Sequence, residues 1–499
     1  MKPSKEPVYI SPVKIFGALV LLNVILACIV FIFPTGKIKL NDKYSLVFVP
    51  LNKIFDKEEK VVVDVNKVIA NINTVDTNLV SIDSKKLNKN KFEEILVPAD
   101  KQIQYPGKNR IALTEFFKSL SDVETQNTLI RIIHYGDSQL EGDRISDYLR
   151  NRFQLRFGGW GPGIILPYDI SNSRISVIQK ESKNWIKHAI YGNTPKLKNG
   201  FYGIAASSYL YKSEPINTQD SLKNINDSIS KKQNIAGAWF DITNTKVSFP
   251  RVRQYNRITF LYSAENPFIL KIKSKQGTSL VSEVLPNTFA ACKTWKIEDN
   301  TSGISIYVNG ESPYFYGIAL DGNSGVAVDN FPMRGSSALG FETINRKMLN
   351  ELYSQMNVKL IILQYGINLV PEPKTDYTWY EKSFSRQLAF IKAAAPFASV
   401  LVIGPSDMSM KTTDGYETYP NLVLIRNAMK KAAFQNGCAF WDLYAAMGGK
   451  NSMSSWVENN LAAKDFTHFS TKGARYVSEM LYNALIDEYQ KYLKENKGI

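Results

Sequence analysis

The stretch LIRIIHYGDSQ, residues 129–139, decides the fold of this chain. It starts with a short apolar run at residues 129–134 and ends in Gly136-Asp137-Ser138, a triplet that is common in turns. A buried strand that turns at this point and leads into a helix exposes the Ser138 Oγ at the carboxyl edge of a sheet. The nearby helix N-terminus favours developing negative charge there. The stretch therefore predicts a strand of a sheet followed by a candidate nucleophile, Ser138.

On both sides of this strand the sequence alternates between amphipathic helices and short apolar strands. Apolar residues at helical spacing between Ile111 and Leu120 predict a short helix that docks onto the domain. Further helices are predicted at residues 144–157, 341–356, 379–394, 421–435 and 471–494, and strands at residues 359–364, 399–403 and 438–441. This rhythm indicates an open parallel sheet that helices cover on both faces, with the active site at the carboxyl ends of the strands.

A long segment, residues 169–321, interrupts the alternation. Short β-like runs fall at residues 239–242, 246–249, 257–262, 268–272 and 305–308. Turn residues such as Asn244 and Asn309-Gly310 separate them. The pattern predicts a small β-sandwich at residues 169–321, inserted into an α/β domain that is formed by residues 109–168 and 322–499.

The N-terminal part of the chain differs from both of these regions. Residues 15–33 are apolar apart from Asn23 and are long enough to cross a bilayer as a helix, and Lys2, Lys5 and Lys14 precede them. The basic flank predicts a cytoplasmic N-terminus and an uncleaved signal anchor at residues 1–35. A cleaved signal peptide and a lipoprotein with Cys28 as its anchor are the competing interpretations. Residues 36–108 are rich in Lys, Asp and Asn and are predicted to be a spacer.

Composition limits the classes of function. The chain has 499 residues, more than one ordinary core needs, and it is 44% hydrophobic and 21% charged, as expected of a folded protein. The formal net charge of +15 favours an anionic neighbour. The basic residues are scattered, however, so we expect no nucleic-acid partner. Three cysteines without metal-ligand spacing predict no metal site, and no cofactor is expected.

Only three histidines are available as a general base: His134, His188 and His468. His468 ends the sequence Asp465-Phe466-Thr467-His468, just before the last predicted helix. An Asp three residues before a His can accept the Nδ1 proton of the ring, which leaves Nε2 free to take a proton from a serine. We expect structural roles for His134, which lies in a predicted strand, and for His188, which lies in the insert.

Taken together, these motifs resemble the SGNH (GDSL-like) hydrolase superfamily. Four signature blocks of that superfamily have counterparts in order: residues 134–139 (HYGDSQ), 330–335 (NFPMRG), 366–368 (GIN) and 465–468 (DFTH). Two positions depart from the usual pattern, because Gln139 stands where Leu is usual and Leu369 where Asp is usual. The resemblance covers residues 109–163 and 322–492, and it implies a flavodoxin-like three-layer α/β/α domain.

The resemblance also implies roles for individual residues. The implied catalytic triad consists of Ser138, Asp465 and His468. The implied oxyanion hole consists of the backbone N–H groups of Ser138 and Gly335 and the side-chain amide of Asn368. Gly325 and Gly340 are alternatives to Gly335 as the donor. Asp137 is expected to hold the turn rather than to take part in the chemistry.

The function that this resemblance implies is a serine esterase that removes O-acyl groups, above all O-acetyl groups, from cell-wall or extracellular polysaccharide. One alternative is an O-acyltransferase with the same triad that works with a membrane acyl-donor protein, and another is a non-catalytic glycan-binding scaffold. The expected partners are acylated polysaccharide or peptidoglycan and the cytoplasmic membrane, with the catalytic body in the periplasm or outside the cell. Four aromatic residues of the insert either bind glycan or fill the sandwich core: Trp185, Tyr202, Tyr209 and Trp239.

Overall fold

The structure is a computed structural model that describes residues 11–41, 44–48, 63–70, 72, 95, 97–107, 110–168, 174–212, 237–298, 302–413 and 415–497. It divides into two units, Met1–Val62 and Val63–Ile499. Lys2, Lys5 and much of the predicted spacer lie outside the described residues.

The described residues of the first unit form one long helix and a small hairpin. Its elements are α1 (Pro12–Ile32), β1 (Lys37–Lys39) and β2 (Ser45–Val47), and the two strands pair antiparallel. Helix α1 has 21 residues, a mean hydropathy of 3.0 over its most apolar window and no buried residue. At 1.5 Å per residue it is about 30 Å long, the thickness of a bilayer core. It is therefore long and apolar enough to cross a membrane, and a signal sequence would meet the same description.

The second unit contains the remaining elements. Its helices are α2 (Val65–Ile69), α3 (Thr114–Gln126), α4 (Ser146–Phe157), α5 (Arg346–Gln355), α6 (Thr378–Ala394), α7 (Leu422–Gln435), α8 (Leu443–Ala446), α9 (Ser452–Glu458) and α10 (Thr471–Lys497). Its strands are β3 (Ile103–Gln104), β4 (Leu129–Gly136), β5 (Gly163–Ile165), β6 (Val177–Glu181), β7 (Trp185–Ala189), β8 (Ser207–Tyr211), β9 (Gly237–Asn244), β10 (Arg257–Ala264), β11 (Phe268–Ser274), β12 (Ser279–Leu285), β13 (Thr288–Lys296), β14 (Gly303–Gly310), β15 (Tyr314–Asp321), β16 (Gly325–Pro332), β17 (Val358–Gln364), β18 (Ser399–Ile403), β19 (Ser409–Thr412), β20 (Gly415–Thr418) and β21 (Ala439–Trp441).

A mostly parallel sheet forms the centre of this unit. Its strand order is β16-β4-β17-β18-β21-β3, and every neighbouring pair is parallel except β21 and β3. Strands β17 and β18 are almost wholly buried, as apolar runs in a sheet covered on both faces must be. Helices α5, α6 and α7 share one apolar cluster with the sheet, and α3, α4, α8, α9 and α10 share a second cluster with it. The predicted three-layer α/β/α arrangement is confirmed.

The segment of the chain between α4 and β16 forms two antiparallel sheets. One has the order β13-β10-β15-β8-β7, with β5 paired to β15, and the other has the order β12-β11-β14-β9-β6. They share an apolar cluster, in which the Phe260 and Phe315 rings stack with centroids 4.5 Å apart. The added antiparallel β-domain is confirmed. Because β5 precedes residue 169, the antiparallel strands begin upstream of the boundary expected for the insert.

Local differences from the predicted elements have physical causes. Residues 246–249 do not form the predicted strand, because Thr245 Oγ1 accepts from the Ser248 N–H and closes a turn. The predicted spacer also contains a β-like stretch at residues 60–65, but Val65 begins helix α2, and residues 60–62 lie outside the described residues. Trp185, Tyr202 and Tyr209 are buried, so glycan binding through these three as exposed aromatics was wrong, whereas Trp239 is half-buried.

Candidate active site

Ser138 lies directly after β4, where the chain makes a short 3₁₀ turn at Ser138–Asp143. The Asp137 carboxylate caps this turn by accepting the Gln139 N–H at 3.0 Å. Gly136 is required by close approach, because a Cβ there would lie 2.8 Å from the Gln364 carbonyl oxygen on the neighbouring strand. These constraints place Ser138 at the carboxyl edge of the parallel sheet, where it keeps 8% of its surface exposed.

Two hydrogen bonds join the three residues expected to form a triad, with His468 in the middle. Ser138 Oγ is 2.8 Å from His468 Nε2, and His468 Nδ1 is 2.7 Å from Asp465 Oδ2. The backbone N–H groups of Thr467 and His468 both donate to Asp465 Oδ1, each at 3.0 Å. The aspartate therefore holds the ring and its own loop at the same time, with one oxygen for each.

The electrostatics of the loop favour a charged aspartate. Burial alone would raise the pKa of the Asp465 carboxyl, but the backbone and ring N–H groups of His468 and the N–H of Thr467 bring it below its usual value. The side chains of His468 and Asp465 are 30% and 50% exposed. An anionic carboxylate next to a partly solvated imidazole stabilises the imidazolium that forms when the ring takes a proton.

Two further loops meet the Ser138 turn, and they carry the residues expected to form the oxyanion hole. Gly335 is exposed and has a φ of 75°, a conformation that favours glycine. Asn368 is exposed and donates through Nδ2 to the Ser336 carbonyl oxygen at 2.9 Å, which ties the loop after β17 to the loop after β16. An amide group has two N–H bonds, so the second one can still be offered to a ligand.

The carboxyl group of Asp137 hydrogen-bonds to two of these loops. Its carboxyl is buried, and burial raises its pKa to about 7, although backbone N–H groups of Gln139 and Ile367 act in the opposite direction. Ile367 lies directly before Asn368, so the carboxylate joins the Ser138 turn to the Asn368 loop. This arrangement fits the expected structural role of Asp137.

Four other polar residues near the strand ends have structural contacts. Arg144 donates to the Glu141 and Phe469 carbonyl oxygens, at 2.9 and 3.3 Å. Arg334 is 69% exposed and lies 3.5 Å from the Glu141 carboxylate.

The other two, Tyr365 and Asp407, are both buried. Tyr365 donates its hydroxyl to Met333 Sδ. Burial raises the pKa of Asp407 to about 6, although four hydrogen bonds, among them those from the Met453 N–H and the Thr418 hydroxyl, act against burial. Within the described part of the chain, no group of three or more His, Cys, Asp or Glu side chains could hold a metal ion.

The sequence did not indicate the hairpin β19–β20, which lies beside the His468 loop. The Tyr416 ring stacks on Phe466 with centroids 3.5 Å apart and planes 7° apart. The Ser409 N–H also donates to the Phe466 carbonyl oxygen at 3.1 Å. Phe466 has a φ of 55°, which is unusual for a residue with a side chain, so these contacts hold a strained loop in place. The only sequence signal was the short run of β-forming residues around Tyr416.

Comparisons with known proteins support the fold. No family model matches the sequence, and no curated protein matches it. A solved structure of a peptidoglycan O-acetylesterase is similar over 78% of this chain and 99% of that chain, with 20% identity and a TM-score of 0.57. An acetyl xylan esterase aligns over 32% of this chain and 81% of its own, with 17% identity and a TM-score of 0.25. A family two carbohydrate esterase from Clostridium thermocellum aligns over 52% and 94%, with 9% identity and a TM-score of 0.24. The first of these similarities shows that the chain has the fold of a known esterase, as the SGNH resemblance predicted.

Proposed function

We propose that this chain is a serine esterase that removes O-acetyl groups from cell-wall glycan, with Ser138 as nucleophile, His468 as base and Asp465 as the residue that orients it. The observation that carries the proposal is the hydrogen-bonded line from Ser138 Oγ through the His468 ring to Asp465, with distances of 2.8 and 2.7 Å. The line lies at the carboxyl edge of a parallel sheet, and the solved structure with the same fold is named a peptidoglycan O-acetylesterase.

In the first half of the reaction, His468 Nε2 takes the hydroxyl proton of Ser138 while Oγ attacks the acetyl carbonyl carbon. Negative charge develops on the carbonyl oxygen. It is stabilised by hydrogen bonds from the N–H groups of Ser138 and Gly335 and from the Asn368 amide. The tetrahedral intermediate then collapses. His468 gives its proton to the departing sugar oxygen, which leaves as a hydroxyl group, and the acetyl group stays on Ser138 as an ester.

In the second half, a water molecule attacks the acetyl-serine ester and His468 takes a proton from that water. That proton then returns to Ser138 Oγ as acetic acid leaves and ionises to acetate in water, so the enzyme ends in its starting state. If a sugar hydroxyl attacks the acetyl-enzyme instead of water, the acetyl group is transferred to that sugar and the protein acts as a transferase. Both outcomes use the same residues.

The proposed location is the outer side of the cytoplasmic membrane. Helix α1 is long enough to act as a single-pass anchor, and the basic N-terminal flank favours a cytoplasmic N-terminus. The catalytic body would then face the cell wall, where a net charge of +15 suits an anionic polymer. A membrane acyl donor would be a partner only of the transferase.

The test uses the full-length protein in detergent with O-acetylated peptidoglycan fragments. We expect release of free acetate and labelling of Ser138 by a fluorophosphonate. Acetyl transfer to an added sugar acceptor, with little free acetate, would favour the transferase. Absence of both acetate release and serine labelling would overturn the esterase proposal and leave a glycan-binding scaffold.

A further inference from the structure

The residue after the nucleophile, Gln139, makes contacts that reach across the site. Its side chain is 1% exposed, and its Nε2 donates to the Thr467 carbonyl oxygen at 2.7 Å and to the Ser406 hydroxyl at 3.2 Å. Its Oε1 accepts the Phe469 N–H at 3.4 Å. The amide therefore uses both of its N–H groups and its oxygen on two other segments of the chain.

Two of these contacts lie on either side of the base. Thr467 and Phe469 are the neighbours of His468, so the backbone before and after the ring is bound to the residue that follows Ser138. The distance between Ser138 Oγ and His468 Nε2 thus depends on a brace between the two loops that carry them. The third contact, to Ser406, joins the segment after β18 to the same brace.

The loop that carries the base has reason to need such support. The His468 and Asp465 side chains are 30% and 50% exposed, and Phe466 adopts a left-handed backbone conformation. Leucine, the usual residue at position 139 in the superfamily that this chain resembles, can fill the same space but cannot hydrogen-bond to Thr467, Ser406 or Phe469. The glutamine adds a polar connection that apolar packing would not provide.

We propose that Gln139 is a positioning residue that holds the His468 ring against the Ser138 hydroxyl. The inference rests on the proposed function, because it assumes that these two residues perform the chemistry. A misplacement of about 1 Å in a catalytic group can cost on the order of 10²-fold in rate. The loss should appear in the chemical step, since Gln139 is buried and its amide binds groups of the protein itself.

The first variant is Gln139→Met, which keeps the length of the side chain and removes all three hydrogen bonds. In the full-length protein, we expect kcat for an acetyl ester to fall about tenfold to a hundredfold with little change in KM. Gln154→Met is the matched control. Gln154, on helix α4, is also fully buried, but its amide donates to the Gly161 carbonyl oxygen at 3.0 Å rather than to the His468 loop. Its kcat should stay within about twofold of the wild type.

The second variant is Gln139→Glu, which keeps an acceptor for the Phe469 N–H but loses the amide donors to Thr467 and Ser406. We expect kcat to fall, but less than in Gln139→Met, with little change in KM. A purely structural role for Gln139 would lower stability without lowering kcat of the folded protein. The kcat of folded Gln139→Glu also decides the question if Gln139→Met does not fold.

Unchanged kcat in a folded Gln139→Met or a folded Gln139→Glu would overturn the proposal. Failure of the proposed function itself gives a different result. In that case the wild type would show neither ester turnover nor labelling of Ser138, whatever residue stands at position 139.

Discussion

This molecule contains two serine–histidine pairs. They differ in almost every property that matters for catalysis. In the first, Ser138 Oγ is 2.8 Å from His468 Nε2 in the loops at the carboxyl edge of the sheet. In the second, Ser146 Oγ is 3.1 Å from His134 Nδ1, between the first turn of α4 and the middle of the sheet. Distance alone therefore does not identify a catalytic pair.

The difference lies in burial and in the group on the far side of each ring. His134 and Ser146 are fully buried, and His134 Nε2 lies 3.1 Å from the neutral amide oxygen of Gln364. Burial lowers the pKa of His134 to about 4, although the Gln364 contact acts in the opposite direction. His468 instead has a carboxylate behind it and is 30% exposed. A base needs both a stabilised imidazolium and access for the substrate, and only His468 has them.

Removing each serine in turn gives the largest expected contrast. Ser138→Ala should lower kcat by about 10⁴- to 10⁶-fold and abolish fluorophosphonate labelling, because no nucleophile remains. Ser146→Ala should leave the labelling rate of folded protein almost unchanged. It should lower the free energy of unfolding by about 1–3 kcal/mol, because the buried partners of Ser146, His134 and Asn330, each lose a hydrogen bond.

The measurements are labelling kinetics and thermal unfolding of both variants in the same detergent. The comparison fails if Ser146→Ala loses labelling while remaining folded. It also fails if Ser138→Ala retains more than about a hundredth of the wild-type turnover.

The carboxylate behind the ring is the second contrast. Asp465→Asn keeps the shape of the side chain but presents a neutral amide to His468, as Gln364 does to His134. In a serine protease the corresponding change lowers kcat by about 10⁴, and we expect a loss of several orders of magnitude here. Steady-state kinetics on an acetyl ester will measure it. A loss of about tenfold or less would mean that Ser138 and His468 act as a dyad and that Asp465 only shapes the loop.

Much of the fold could be predicted because its signals are local. Strand β18 has the predicted bounds, and β17 and helix α6 each differ from theirs by one residue, since continuous apolar runs and helical periodicity are read from neighbouring residues. Strand β16 was missed. Its Asp329 and Asn330 argue against a buried strand, and partners distant in sequence, among them Arg131 and Ser146, make them compatible with one.

In the candidate site, too, features set by neighbouring residues could be predicted and features set by distant residues could not. The spacing of Asp465 and His468 was visible in the sequence because the two lie on one short loop. The brace from Gln139 to Thr467 spans 328 positions, and no local pattern indicates it. The burial of Trp185 and Tyr209 depends likewise on which face of a strand meets the opposite sheet. Tyr202 lies outside the strands and packs in the apolar cluster of helices α5, α6 and α7.

The smallest expected effect concerns the response of the buried pair to pH. The pKa of His134 is about 4 in the folded protein and about 6.5 in an unfolded chain, so the unfolded state binds more protons between these values. The stability that neutral His134 contributes is therefore present above about pH 6.5 and is lost as the pH falls towards 4, by about 3 kcal/mol in all. His134→Gln cannot titrate, so its free energy of unfolding should decline less steeply over this range. The difference in free energy of unfolding between the variant and the wild type should therefore narrow as the solution is acidified.

Asp137 also titrates in this range, and its raised pKa of about 7 makes stability fall with rising pH instead. It is present in both proteins, so its contribution cancels in the difference. Urea unfolding of both proteins between about pH 7 and 4.5 measures the effect, with His188→Gln as a control for removing a histidine outside the parallel sheet. Parallel stability curves for the wild type and His134→Gln would show that the buried ring is not held neutral, and the distinction drawn between the two pairs would then rest on access alone.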